Sequence, residues 1–150
     1  MDELHNAANY ARYKAELARL EAAQADTATV MICRPVAGAT AAQDAQIREY
    51  VSIANLSIAE GYMSTTGRVS TQGAMRAAAS RAAAAERARA AAAGSPYRGV
   101  VGHGPDTTWT GRPDTPFWLD MDHSINSSLG RQSLDYPLGF KPRRFIFEGD

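Results

Sequence analysis

His103 and Asp106 stand three residues apart in the segment Gly102-His103-Gly104-Pro105-Asp106-Thr107-Thr108-Trp109-Thr110-Gly111. Histidine, with an ordinary pKa of about 6.5, exchanges a proton near neutrality, and a carboxylate within reach can orient the ring or hold a metal ion. Pro105 donates no backbone hydrogen bond and biases Gly104 away from helical backbone. The pair is therefore expected on a bent loop, not on one helix face as in the HExxH zinc motif. A plainer reading stands beside it: His-x-x-Asp arises by chance, and an aspartate before two threonines suits an Asx-turn or a helix N-cap.

Oxygen donors are dense downstream, at Asp114, Asp120, Asp122, Asn126, Ser127, Ser128 and Gln132, with His123 among them. An oxygen-rich set with few histidines suits Mg²⁺ or Mn²⁺, whereas zinc more often recruits cysteine or several histidines. Cys33 is the only cysteine, so neither an intrachain disulfide nor a cysteine cage for zinc can form. Asp120, Asp122 and Asn126 read first as turn or cap residues for a short helix starting near Ser124.

Positioning these groups falls to a helical body. Residues 3–25 lack Gly and Pro and carry Tyr10, Tyr13, Leu17 and Leu20 at helical spacing, so an amphipathic helix is expected, packed on the domain or extending from it. The β-branched run Ala28–Cys33 reads as a strand or buried extended segment. A second helix is expected over 42–60, with Ile47, Val51, Ala54 and Ile58 on one stripe and Gly61 as its stop. Residues 61–73 read as a polar loop, with Ser70 or Thr71 capping a third helix over 71–93. Alanine dominates that helix, which suggests close helix packing, although alanine also simply favours helix. Six prolines from Pro96 to Pro142 make long regular elements improbable beyond Gly94, with a short strand at Arg144–Glu148. The expected fold is thus mainly α: a helical body with a loop-rich C-terminal part that carries the His-x-x-Asp loop and one short β element. An N-terminal helical extension, 1–27, would precede one domain, 28–150.

The chain has 150 residues and zero formal net charge, unevenly spread. Residues 1–60 hold five Lys/Arg against eight Asp/Glu, and residues 61–150 hold eleven against eight. Arg68, Arg76, Arg81 and Arg98 fall in the basic part and would suit a phosphate backbone, although such arginines are usually a solvated face. No apolar run is long enough for a membrane span, and the N-terminus lacks the basic and apolar regions of a signal peptide.

Several blocks resemble a known family. They are Cys33-Arg34-Pro35, Ser64 to Thr71, Gly94-Ser95-Pro96-Tyr97, His103 to Gly111, Asn126 to Gln132 and Tyr136 to Pro142. In this order, over roughly residues 30–147, they resemble the HxxD-motif polymorphic-toxin nucleases of bacteria, the novel toxin fifteen domain found on DNase effectors of the type VI secretion system. The resemblance implies a mainly α toxin domain that hydrolyses DNA with Mg²⁺ or Mn²⁺. It also implies a cognate immunity protein as partner, and a secretion apparatus or delivery module that exports the toxin without a signal peptide into the target-cell cytoplasm. His103 and Asp106 match the catalytic pair.

Phosphodiester hydrolysis needs a base for water and positive charge on the developing phosphorane. His103 is expected as the base, Asp106 as the metal ligand, and Arg68, Arg76, Arg81 and Arg98 as nucleic-acid binders. Asn126, Ser127 and Gln132 are accessory candidates. The reverse assignment, His103 on the metal with Asp106 orienting it, stays open. So do two rival functions, a toxin ribonuclease and a non-catalytic interaction module.

Overall fold

The structure is a computed structural model, and it describes residues 9–17 and 29–150. Residues 9–17 form helix α1, with Tyr10 and Tyr13 exposed; Leu20 and the rest of the expected first helix lie outside the described residues. The chain then runs β1 (Val30–Cys33), α2 (Ala41–Ala59), α3 (Ala74–Ala92), β2 (Val100–His103), α4 (Thr107–Thr110), β3 (Trp118–Met121), α5 (His123–Ser133) and β4 (Arg144–Phe147). The fold is predominantly helical with two small sheets.

α2 starts where a capping box closes its first turn: Thr40 Oγ1 accepts from Gln43 N–H while the Gln43 side chain accepts from Thr40 N–H. It ends at Glu60, and Gly61 follows at φ 78°, the left-handed position that glycine fills at helix C-termini. α3 differs from expectation at its start. Its N-cap is Gly73 with no side-chain cap, while Ser70 Oγ accepts from Gln72 N–H in the preceding turn.

β1 and β4 pair in parallel, Val30 opposite Arg144 and Cys33 opposite Phe147. Alternation turns Met31, Cys33, Phe145 and Phe147 into the core. There they meet Ile47, Tyr50 and Ala54 of α2 and Ile125 and Leu129 of α5. The expected single short β element is corrected by the second sheet, in which β2 and β3 pair antiparallel with His103 opposite Trp118. Gly102 and Asp120 dilute the β pattern of these strands, and their pairing spans a loop studded with Gly and Pro.

Trp109, from the middle of the motif, is the hub of the core. Its ring meets Tyr136, Phe140 and Phe145 edge-on at 5.6–6.3 Å, and its Nε1–H donates to Ser133 Oγ at 2.9 Å. That pins the single turn of α4 to α5. α3, by contrast, packs on β2 and buries only Glu86 and Ala90. Its alanines are not in close helix packing; they serve helix propensity and leave room beside one face.

Candidate active site

A cleft of about 530 Å³ opens where three elements converge. α3 contributes Arg76, Ala79, Ser80 and Ala83, which share one face at helical spacing. α5 contributes Asn126, Ser127, Gly130 and Arg131, again one face, with its C-cap Leu134. The β2–α4 segment contributes Val101 through His103 and Asp106 through Thr108. Small residues on both helices make the space.

His103 ends β2, and Asp106 occupies the N-cap position of α4. Gly104 between them cannot be replaced without a shift, since a Cβ there would lie 2.6 Å from Ile53 Cγ2 and 2.8 Å from the Phe117 carbonyl oxygen. Asp106 does not do what an N-cap aspartate does: its carboxylate makes no cap bond. Oδ1 instead accepts from the buried Tyr50 hydroxyl at 3.1 Å. No cation pairs with this carboxylate among the described residues. Burial pushes its pKa up to about 6, against the opposing Tyr50 hydrogen bond. The remaining oxygen, Oδ2, lies 3.5 Å from where a Cβ on Gly130 would stand, and Thr107, which lines the same cleft, buries its Oγ1 without a hydrogen-bond partner among the described residues. Cys33 lies in the same region, its thiol pushed up to about 12 by burial and by Asp106. It is an inert core group, not a nucleophile.

His103 Nε2 lies 2.8 Å from the Pro113 carbonyl oxygen. A carbonyl only accepts, so Nε2 carries the proton and Nδ1 keeps the lone pair of the neutral ring. Trp118 packs against the imidazole, centroids 4.5 Å apart. Burial lowers the His103 pKa below the ordinary 6.5, while the Pro113 carbonyl and Asp114 pull it back up. The ring is neutral at pH 7 and ready to accept a proton.

Of the expected site residues, the cleft gathers His103, Asp106, Arg76, Asn126 and Ser127. Arg68 lies outside its wall: Nε donates to the Tyr136 carbonyl at 2.7 Å and an Nη to Thr108 Oγ1 at 3.0 Å, tying the 64–70 loop to α4. Gln132 is a second clamp, its amide bonding the backbone N–H and C=O of Arg34 at 2.7 and 3.1 Å. Arg81 and Arg98 are exposed and line no part of the cleft. Asp120 and Asp122 make long-range structural bonds in place of the expected turn or cap bonds: Asp120 accepts the backbone N–H groups of Arg98 and Gly99, and Asp122, at the N-cap position of α5 but without a cap bond, accepts from Gln43.

Sequence reasoning missed Tyr50, Thr107, Trp118 and Arg131. Tyr50 carried a signal, since a tyrosine between Ile47 and Ala54 on a buried stripe must find a partner for its hydroxyl. Arg131, four residues after Ser127, carried another.

For a divalent ion, the cleft offers one carboxylate, Asp106, with neutral oxygens from Asn126 and Thr107 nearby. Among the described residues no cluster of three or more His, Cys, Asp or Glu could hold a metal. A buried carboxylate without a cationic partner fits a hard ion of the Mg²⁺ type, which is commonly bound through one or two carboxylates plus the phosphates of a substrate. No described helix is long and apolar enough to cross a membrane. Compared with protein-family models, curated proteins and solved structures, the chain matches none, so its functional reading rests on this cleft and on the motif that builds it.

Proposed function

We propose that the protein is a toxin nuclease that hydrolyses DNA phosphodiester bonds in the His103–Asp106 cleft with a divalent cation, and that a cognate immunity protein neutralises it in the producing cell. One observation carries the reading. Arg76 and Arg131 reach the same cleft from two helices, and neither has an acidic partner among the described residues. Two unpaired guanidiniums beside a neutral histidine and a buried carboxylate suit a phosphodiester, and the resemblance of the ordered motif blocks to HxxD toxin domains points to DNA.

In this mechanism His103 takes a proton from the attacking water at Nδ1, and the Pro113 carbonyl on Nε2–H favours the charged ring that results. Arg76 and Arg131 balance the charge that builds on the phosphate oxygens. Tyr50 fixes Oδ1 of Asp106, leaving Oδ2 to hold the cation. When bound, a Mg²⁺-type ion supplies positive charge at the phosphate and acidifies water.

Plasmid nicking tests the reading, with total RNA as the competing substrate and EDTA as control. Plasmid cleavage by the wild type, abolished by EDTA and reduced at least 10²-fold in His103→Ala with an unchanged circular dichroism spectrum, is the expected result. Cleavage of RNA alone would move the activity to ribonuclease. Full activity of folded His103→Ala would remove the histidine from the chemistry.

A further inference from the structure

Arg131 lines not one depression but two. Besides the cleft, it borders a groove of about 310 Å³ formed with Arg34, Pro35, Val36, Ala37, Ser128, Gln132 and Asp135. Arg131 is thus the ridge that joins them. The groove is built rather than incidental. Gln132 is buried and holds Arg34 by both backbone polar groups, with a further bond to Ser128 Oγ at 3.0 Å. The segment after β1 is thereby fixed against α5. The Arg34 guanidinium meets Asp135 at 3.2 Å, an exposed pair with side chains 53% and 62% accessible. Such a pair is weakly held, so an incoming phosphate can displace the carboxylate at little cost.

Resting on the nuclease reading above, we infer that the groove is an outer subsite for the substrate backbone: a strand leaving the His103–Asp106 cleft crosses Arg131 and places a further phosphate on Arg34, in competition with Asp135. Arg76, Arg131 and Arg34 then form a track from the reacting phosphodiester outward. The enzyme should accordingly prefer substrates long enough to reach the groove. Asp135 acts as the groove's gate, occupying Arg34 until a phosphate replaces it.

The test compares binding of a single-stranded DNA 4-mer and 16-mer by the full chain in EDTA, so that no cleavage intervenes. One phosphate contact on a single strand contributes a salt slope of about 0.7, which amounts to about a five-fold change in affinity between 1 M and 0.1 M salt. Arg34→Ala should lower the 16-mer to 4-mer affinity ratio by about that factor at 0.1 M salt and flatten the 16-mer slope by about 0.7. Asp135→Asn should shift the ratio in the opposite direction. Arg143→Ala removes an exposed charge at the far end of the β1–β4 pair and should leave the ratio alone. A ratio unchanged in Arg34→Ala, or lowered equally by Arg143→Ala, overturns the subsite while leaving the nuclease reading intact. Wild-type protein that binds neither oligonucleotide overturns the subsite, and plasmid cleavage decides the nuclease reading separately.

Discussion

Asp106 carries a cost that its motif position does not announce. A surface-loop carboxylate would be indifferent to folding, but this one is partly buried, bonded by Tyr50 and without a cationic partner among the described residues. Its pKa is raised, so the folded state holds the proton more tightly than the unfolded chain. Stability is then greatest below the ordinary value of 3.8 and declines as pH rises through about 6. Above that window the ionised group costs at most about 3 kcal/mol. Asp106→Asn keeps the shape and the Tyr50 hydrogen bond while removing the charge. Without metal, it should raise Tm by several degrees at pH 7.5 and leave Tm unchanged at pH 3.5, while abolishing cleavage. Thermal melts at the two pH values check this; equal Tm at pH 7.5 would show that Asp106 is well solvated. In the proposed mechanism the same feature would favour a bound cation, an instance of function held against stability.

At the scale of elements, α3 is a weakly anchored part of the cleft wall. It buries little, and its own fixings are Arg87, which donates to the Gly99 carbonyl at 2.7 Å, and the Glu86 cluster. Glu86 accepts from Tyr97 Oη at 2.6 Å and from two nitrogens of Arg89, which holds its pKa down to about 2. A lowered carboxylate pKa contributes stability that is complete above 4.5 and lost as pH falls towards 2. Glu86→Gln should therefore lower Tm at pH 7 and flatten the decline of Tm between pH 4.5 and 2.5. Because Arg76 rides on this helix, the same variant should also weaken DNA binding more than it weakens cleavage of a saturating substrate. A Tm curve parallel to that of the wild type across the acid range would mean that the cluster does not hold α3.

For the molecule as a whole, the cleft and its Arg131 ridge would set how the proposed immunity protein approaches. Leu134, on the rim, is 65% exposed, and Leu138 is 61% exposed. A groove built for a polyanion attracts an acidic partner, and complementary charge lifts association above the unsteered range of about 10⁵–10⁶ per molar per second. For the proposed toxin, made beside its own chromosome, rapid capture would matter. The proposed immunity protein should present acidic residues to Arg76 and Arg131 around an apolar contact with Leu134. Its association rate should fall steeply with ionic strength, and Leu134→Ala should chiefly speed dissociation. Stopped-flow rates that barely change between low and high salt would indicate inhibition from a remote surface instead.

The parts legible in sequence are those governed by neighbours along the chain. The bounds of α2 and the end of α3 followed from apolar spacing, alanine content and Gly61, whereas the start of α3 did not; β1 and β4 followed from β-branched and aromatic runs; His103 and Asp106 stood out by chemistry and spacing. What required tertiary structure was every role set by a distant partner. Whether an arginine binds substrate depends on which acceptor lies nearest, and only the fold gives Arg68 to Tyr136 and Thr108 while leaving Arg76 and Arg131 without an acidic partner among the described residues. Gln132 reads as a ligand until Arg34, far away in sequence, takes its amide. In the β2–β3 pair Val100, Val101 and Trp118 favour strand, but Gly102 and Asp120 interrupt the pattern, and the pairing becomes visible only in the fold, where α3 and α5 also pack on β2. Local chemistry thus determined which groups could react, and long-range packing decided which of them share a cleft, because hydrogen-bond partners and burial are properties of neighbours in space.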